Sequence, residues 1–528
     1  MSQISSFLQL GVATFVCSTT LLSPLQAAVK KKPNLIFVLT DQWRKQALGY
    51  RNEDPVLTPN IDKFASWAFS FDNAVSCSPV SGPNRACLFT GKYSINNGVF
   101  ANSVPLDPNE ESSLGKICKA AGYKTAYIGK WHLNGESDAV TNSSRQQGFD
   151  FWVQSIGHTP FSQKYFIPDG SKNVKTYIKG QWAPTYETEV GIEFIEKNKD
   201  NPFCLVLSYN PPHTGGGLNF ENRYQPGKFD ENGKPKYGYG YAGPEKYEAL
   251  YANKNYKNDS IRKNIQSLGK RKDECFDAIP GYFGAISAID NDFGTLMDYL
   301  KKNNLLENTI IVFTSDHGES MGSHGLMTKG TWFEESVGVP CIIGWKGKTV
   351  HQQSKEVFNS IDLMPSLLGM MNLSKPNSAD GHDFSPLLFG EKFVAPEFAY
   401  LTFNFGGIEE LKAPRYWRSI YSKQYTYTLC GISHNRSFTK DGYVLYDREK
   451  DPLQMRPIYK GMGYDDVIFR LHKELVANFN KTGDPFIEKY WNNPNPGYPK
   501  LNKYTIPEDV LLGKWKSETK STKKKEKK

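Results

Sequence analysis

The stretch SCSPVSGPNRACLFTGK runs from Ser76 to Lys92 and sets Cys77, Ser78 and Ser81 ahead of a single arginine, Arg85. A loop of this kind, leading into a helix, can present a nucleophile, and those three residues are the candidates. Elsewhere, Asp or His recurs just after apolar runs. Asp41 follows NLIFVLT, His132 follows GYKTAYIGKW, His213 follows PFCLVLSYNPP, and Asp316 with His317 follows TIIVFTS. One such residue is ordinary turn chemistry. Four such run ends together offer side chains that bind ligands or move protons, provided the fold gathers them.

Gathering them requires parallel strands. Short apolar runs such as NLIFVLTD and TIIVFTS read as strands buried on both faces. TPNIDKFASWAFSF reads as a helix with Thr58 as cap and Pro59 in its first turn, and residues 280–303 have helical apolar spacing. Strands alternating with helices predict an α/β domain with a mostly parallel sheet, whose carboxyl edge is where ligands bind. Past about Ala395 the pattern changes to FAYLTF, WRSIYS, YTYTL and GYVLYD, then a helix around DVIFRLHKELVANF. This predicts a smaller C-terminal α+β domain carrying an antiparallel sheet.

Between about 214 and 272 the chain is rich in Gly, Tyr, Asn and Lys and reads as a long insertion over the sheet edge. Phe7 to Leu22 is apolar and is followed by Ala27 and Ala28, so residues 1–28 read as an export signal, although no Lys or Arg precedes the apolar stretch. The bulky Val16 before Cys17 argues against a lipid anchor there. The net charge of +9 includes +4 from the tail SETKSTKKKEKK (517–528), which reads as disordered. The remainder is only mildly basic and has no basic stripe, which argues against a nucleic-acid partner. The scattered cysteines show no zinc or disulfide spacing and read mostly as small buried hydrophobes.

Ser81-Gly-Pro-Asn-Arg85 with Thr90-Gly-Lys92 resembles the signature of the type I sulfatase family, in which a Cys or Ser opens C/S-x-P-x-R ahead of T-G-[RK]. In that register Ser81 stands at the nucleophile position. Cys77 has Pro79 two residues on, but Ser81 where the arginine belongs, and Ser78 has neither partner. PNLIFVLTDQ, GYKTAYIGKWHL, PPH and NTIIVFTSDHGESMGSHGLMTKGTWFEESVGVP resemble other segments of that family, in order, over roughly residues 33–455. The resemblance implies the alkaline-phosphatase-like fold. It places the catalytic α/β domain at 33–395, the C-terminal subdomain at 396–516 and the tail at 517–528.

It also implies roles. Asp41, Gln42, Asp316 and His317, with position 81, would hold one divalent cation, Ca²⁺ by family habit. Gln42 stands where the family often has Asp and His317 where it often has Asn, so Mn²⁺ or Mg²⁺ stays open. Ser81 would be oxidised to formylglycine, whose hydrate attacks sulfur with one hydroxyl and expels sulfate through the other. A serine at this position implies an anaerobic radical maturase acting on the chain before export. Arg85 would orient the hydrate, and Lys130 and Lys329 would neutralise sulfate charge. His132 would be the base of the elimination, and His213 the general acid and a substrate contact, with Lys329 as rival acid. His324 reads as structural.

The function implied is an exported, periplasmic or secreted sulfatase acting on sulfated carbohydrate. The competing readings are a phosphodiesterase or phosphonate monoester hydrolase of the same superfamily, and a non-catalytic glycan binder with Ser81 unmodified. Specificity is expected from the 214–272 insertion, from Asp380 to His382 and from Glu409 to Arg418.

Overall fold

The computed structural model describes residues 31–486 apart from 136–139, 141, 162, 170–171, 179, 216–239, 253, 255, 257–260, 266–271, 405–415, 433–442 and 485. The expected export signal, most of the insertion, residues 409–415 and the tail therefore lie outside the described residues.

The first strand, β1 (Asn34–Asp41), is buried at all eight positions. Side chains alternate across a strand. Leu35, Phe37 and Leu39 accordingly join one apolar layer while Ile36 and Val38 join another on the opposite face. An unbroken apolar run is what such a doubly covered strand requires. The other strands of the main sheet are β2 (Phe69–Val75), β3 (Lys124–Lys130), β4 (Phe151–Ile156), β5 (Lys164–Asp169), β6 (Lys172–Tyr177), β7 (Phe203–Pro212), β8 (Thr309–Ser315), β9 (Cys341–Trp345) and β10 (Gln352–Asn359). Their order is β10-β2-β9-β8-β1-β7-β3-β4-β5-β6. All run the same way except β5 and β9, which pair antiparallel with their neighbours.

Register brings the chemistry together. β1 lies between β8 and β7 and parallel to both, with Thr40 opposite Ser315 on one side and Tyr209 on the other. β7 in turn pairs with β3, Ser208 opposite Gly129. Asp41, Asp316, His213 and Lys130 thus emerge from one edge.

Helices cover both faces. α1 (Pro59–Ala65) starts after Thr58, as expected, but the Thr58 hydroxyl bonds the Asp62 carboxylate at 2.8 Å instead of capping the helix. The first free N–H groups, of Asn60 and Ile61, donate to Asp290 at 3.0 and 2.7 Å, because α1 docks its end on a long helix. α2 (Ser81–Thr90) and α3 (Ala183–Asn198) precede that helix, α4 (Lys272–Lys302). α4 begins earlier than the spacing predicts and contains Pro280. Cys275, Ala278, Ile279 and Tyr282 continue one buried stripe through the proline, which keeps the segment helical.

The C-terminal strands β11 (Ala399–Asn404), β12 (Tyr416–Tyr421), β13 (Tyr425–Ile432) and β14 (Tyr443–Asp447) form the expected antiparallel sheet in sequential order. α5 (Asp465–Thr482) packs Ile468, Leu471, Leu475 and Phe479 into a cluster with Tyr427, Leu429 and Leu445. Cys77, Cys87 and Tyr93, from around α2, join that cluster. The amide of Thr402 in β11 bonds the Cys77 carbonyl at 2.8 Å, so the small sheet braces the loop leading to Ser81.

Candidate active site

Ser81 is the first residue of α2 and is 1% exposed. Its Oγ donates to Asp41 Oδ2 at 3.3 Å and lies 3.2 Å from His317 Nε2. Asn84 fixes the turn: its Nδ2 donates to the Asp316 carbonyl at 2.5 Å, and its Oδ1 accepts from Ser360 at 2.6 Å. Cys77 faces the apolar cluster under the small sheet, where burial drives its thiol pKa well up, so it is not the reactive group.

Asp41, Asp316 and His317 are fully buried and can each offer a ligand atom within 4.8 Å of the others. The fit to a cation rests on two details. Asp41 Oδ1 is buried without a hydrogen-bond partner among the described residues. His317 Nδ1 faces the Gly318 carbonyl at 3.0 Å, which leaves the Nε2 lone pair toward the carboxylates. Burial pushes the His317 pKa down to about 4, so the imidazole is neutral, as a metal ligand must be. Burial raises the Asp41 carboxyl, but the positive charge beside it, Lys130 first and Arg85 with it, outweighs that and holds the group ionised.

Arg85, one helical turn after Ser81, spends its donors behind this cluster. Nε bonds Asp316 Oδ2 at 2.9 Å, Nη2 bonds Asp41 Oδ2 at 3.4 Å, and Nη1 bonds the Lys130 carbonyl and Ser208 Oγ at 2.9 and 2.7 Å. It therefore holds the carboxylates, and no hydrogen bond joins it to Ser81 among the described residues. Lys130 Nζ bonds Asp41 Oδ2. Burial lowers its pKa to about 8 against the upward pull of Asp41.

Across the site, Lys329 Nζ donates to Gln42 Oε1 at 2.6 Å and to His213 Nε2 at 2.7 Å. His213 Nδ1 faces the Thr214 carbonyl at 2.8 Å, so Nε2 is the acceptor. Burial, then Lys329, pushes His213 well below the usual histidine range. His132 stands just past β3 in a left-handed conformation, φ 55°, and its Nδ1 is buried without a partner among the described residues. Burial, then Lys130, keeps its imidazole neutral.

The structure adds residues that the sequence reading did not include. His158 stacks on His213 with ring centroids 4.5 Å apart and bonds Asn210 at 2.9 Å. It follows β4, and the rule used for the other strand ends would have found it. Glu319 and Tyr241 contact Gln42. His324 is structural, stacked on Phe333 at 3.6 Å.

Two expected specificity positions have other work. Asp380 holds the backbone of Tyr93 at 2.8 Å, past the far end of α2 from Ser81. Arg418 is buried against Asp484.

The sulfatase family model matches residues 33–373, and the model for the N-sulphoglucosamine sulphohydrolase C-terminal region matches 322–481. An ulvan-active sulfatase of Formosa agariphila is 33% identical over 470 residues, covering 86% of this chain and 82% of that protein. An endo-4-O-sulfatase of Bacteroides thetaiotaomicron is 27% identical, covering 90% and 98% respectively. A solved structure from work on glycosaminoglycan metabolism by Bacteroides thetaiotaomicron superposes with TM-score 0.73 and 25% identity, over 88% of this chain and 100% of that one. With the serine signature, the carboxylate–imidazole cluster and the two-sheet architecture in the matched positions, the chain belongs to the sulfatase family and is a sulfuric ester hydrolase.

Proposed function

We propose that the protein is exported and removes O-sulfate groups from carbohydrate, using a formylglycine hydrate formed from Ser81. The carrying observation is the placement of Ser81 Oγ, within 3.3 Å of both Asp41 and His317 at the head of α2. The carbohydrate assignment draws on the relatives that act on ulvan and at an O-sulfate position.

Asp41, Gln42, Asp316 and His317 would hold a divalent cation, with Ca²⁺ as the first choice. Such a cation would polarise the sulfate oxygens and lower the pKa of the hydroxyl at position 81. The modified residue would supply one hydroxyl for attack and a second whose deprotonation releases sulfate.

Arg85 keeps both carboxylates fixed. Lys130 and Lys329 bracket the site with positive charge, which matters most as charge grows on the sulfate oxygens. His132, neutral and with a free Nδ1, is suited to take the proton in the elimination. His213 accepts from Lys329, so the proton available to a departing alcohol sits on Lys329 and His213 holds that ammonium in place. This arrangement favours Lys329 over His213 as general acid.

Ser81 is buried in the folded chain, which supports modification by an anaerobic radical maturase before folding and export. The apolar stretch at 7–22 supports export, and among the described residues no helix is long and apolar enough to cross a membrane.

The test is peptide mass mapping across Ser81 together with sulfate release from defined sulfated mono- and disaccharides. A peptide lighter by the mass of H₂, with sulfate release, supports the reading. Faster turnover of phosphate esters than of sulfate esters would replace it with the phosphodiesterase or phosphonate hydrolase reading. An unmodified Ser81 with saccharide binding but no turnover would replace it with a glycan binder.

A further inference from the structure

Gln42 is fully buried and adopts φ 67°. Its Nε2 donates to Glu319 Oε2 at 2.5 Å and to Tyr241 Oη at 3.1 Å. Tyr241 Oη donates onward to the same Glu319 oxygen at 2.5 Å. The other carboxylate oxygen of Glu319 accepts the backbone N–H groups of Met321 and Thr328 at 2.8 and 2.6 Å.

Two consequences follow from this closed acceptor. The amide group of Gln42 can point only one way, with nitrogen toward Glu319 and oxygen toward Lys329. A carboxylate at position 42 would set two anionic oxygens against each other in a buried site, at the spacing now bridged by an N–H. Glu319 also pins Thr328, the residue before Lys329, and so fixes both partners of the Gln42–Lys329 contact.

We propose that Glu319, completed by Tyr241, is the positioning residue that makes position 42 an amide position and aims its oxygen toward the cation and Lys329. This rests on reading Asp41, Gln42, Asp316 and His317 as cation ligands. Glu319 limits the negative charge of the donor set to the two aspartates and thereby tunes its affinity. Tyr241 lies within the 214–272 insertion, so its hydroxyl ties that insertion to the ligand set.

The test is a charge-exchange cycle on the full chain, read by Ca²⁺ calorimetry and by thermal unfolding in chelator. Glu319→Gln and Gln42→Glu are each expected to weaken Ca²⁺ binding by about tenfold or more. The double variant Gln42→Glu/Glu319→Gln is expected to recover to within about threefold of wild type, because the amide and the acid have traded places. Tyr241→Phe, the mildest change, is expected to weaken binding by about threefold with unchanged unfolding in chelator. If the double variant loses the product of the single losses, or Glu319→Gln binds Ca²⁺ like wild type, the inference is overturned while the cation reading stands. A wild-type chain that binds no Ca²⁺, Mn²⁺ or Mg²⁺ overturns both.

Discussion

Arg85 and Arg418 are both buried, at 0% and 1% exposure, and both are paired with aspartate. Around Arg418 every demand is met. Asp484 receives Arg418 Nε at 2.6 Å and Nη2 at 3.1 Å, the Tyr400 hydroxyl at 2.6 Å and the Phe486 N–H at 3.0 Å. Around Arg85 the network stops short, because Asp41 Oδ1 has no partner among the described residues and the His317 Nε2 lone pair faces the carboxylates. A closed ion network holds the C-terminal sheet to the segment after α5. An open one keeps unmet negative charge beside Ser81, which is a standing demand for a cation.

The two clusters can be separated by experiment. Ser81→Ala leaves the open cluster intact but removes its reacting group. Sulfate release should fall by at least about a thousandfold, measured by ion chromatography, with little change in melting temperature. Asp484→Ala should do the converse, costing about 3–5 kcal/mol in urea unfolding by stranding Arg418 as a buried unpaired charge.

Saturating Ca²⁺ should stabilise the wild-type protein, by about 2.7 kcal/mol at a hundred times its Kd. Tyr400→Phe, which removes one donor from the closed cluster, should keep that stabilisation in full, and Asp316→Asn should lose most of it. Differential scanning calorimetry with and without Ca²⁺ checks both.

The smallest effect is on pH dependence. Burial sets the Lys130 pKa near 8, so its charge is present below that pH and lost above it. The kcat/KM profile should decline as pH rises through about 8, and Lys130→Arg should move that limb upward, because a guanidinium stays charged. An unmoved limb would assign it to another group.

Much of the frame was legible along the chain. β1, β7 and β8 are short apolar runs that only a doubly covered strand accommodates, and their ends carry Asp41, His213 and Asp316. Other features depend on contacts between distant segments. Glu319 meets Gln42 across 277 positions, and nothing near either residue announces the pairing. The signal at Thr58 marks where α1 starts, but the side chain that satisfies its first N–H groups is Asp290, from a separate helix. Arg418, at the end of a segment expected to set specificity, is buried against Asp484, 66 positions on. The reversed direction of β9 between β8 and β2 is a property of the sheet.

The sequence by itself carried the motif register, because Pro83 and Arg85 stand from Ser81, and not from Cys77, at the spacings of the sulfatase signature that the stretch resembles, and covalent spacing needs no fold to be read. It also determined the strand ends, because apolar periodicity is local. Only the tertiary structure decided which acceptor is left unmet, which way the Gln42 amide faces, and that Arg85 donates to both carboxylates. Hydrogen-bond saturation is a sum over neighbours from every element that reaches the site, and that sum exists only once the sheet has brought β1, β3, β7 and β8 into register.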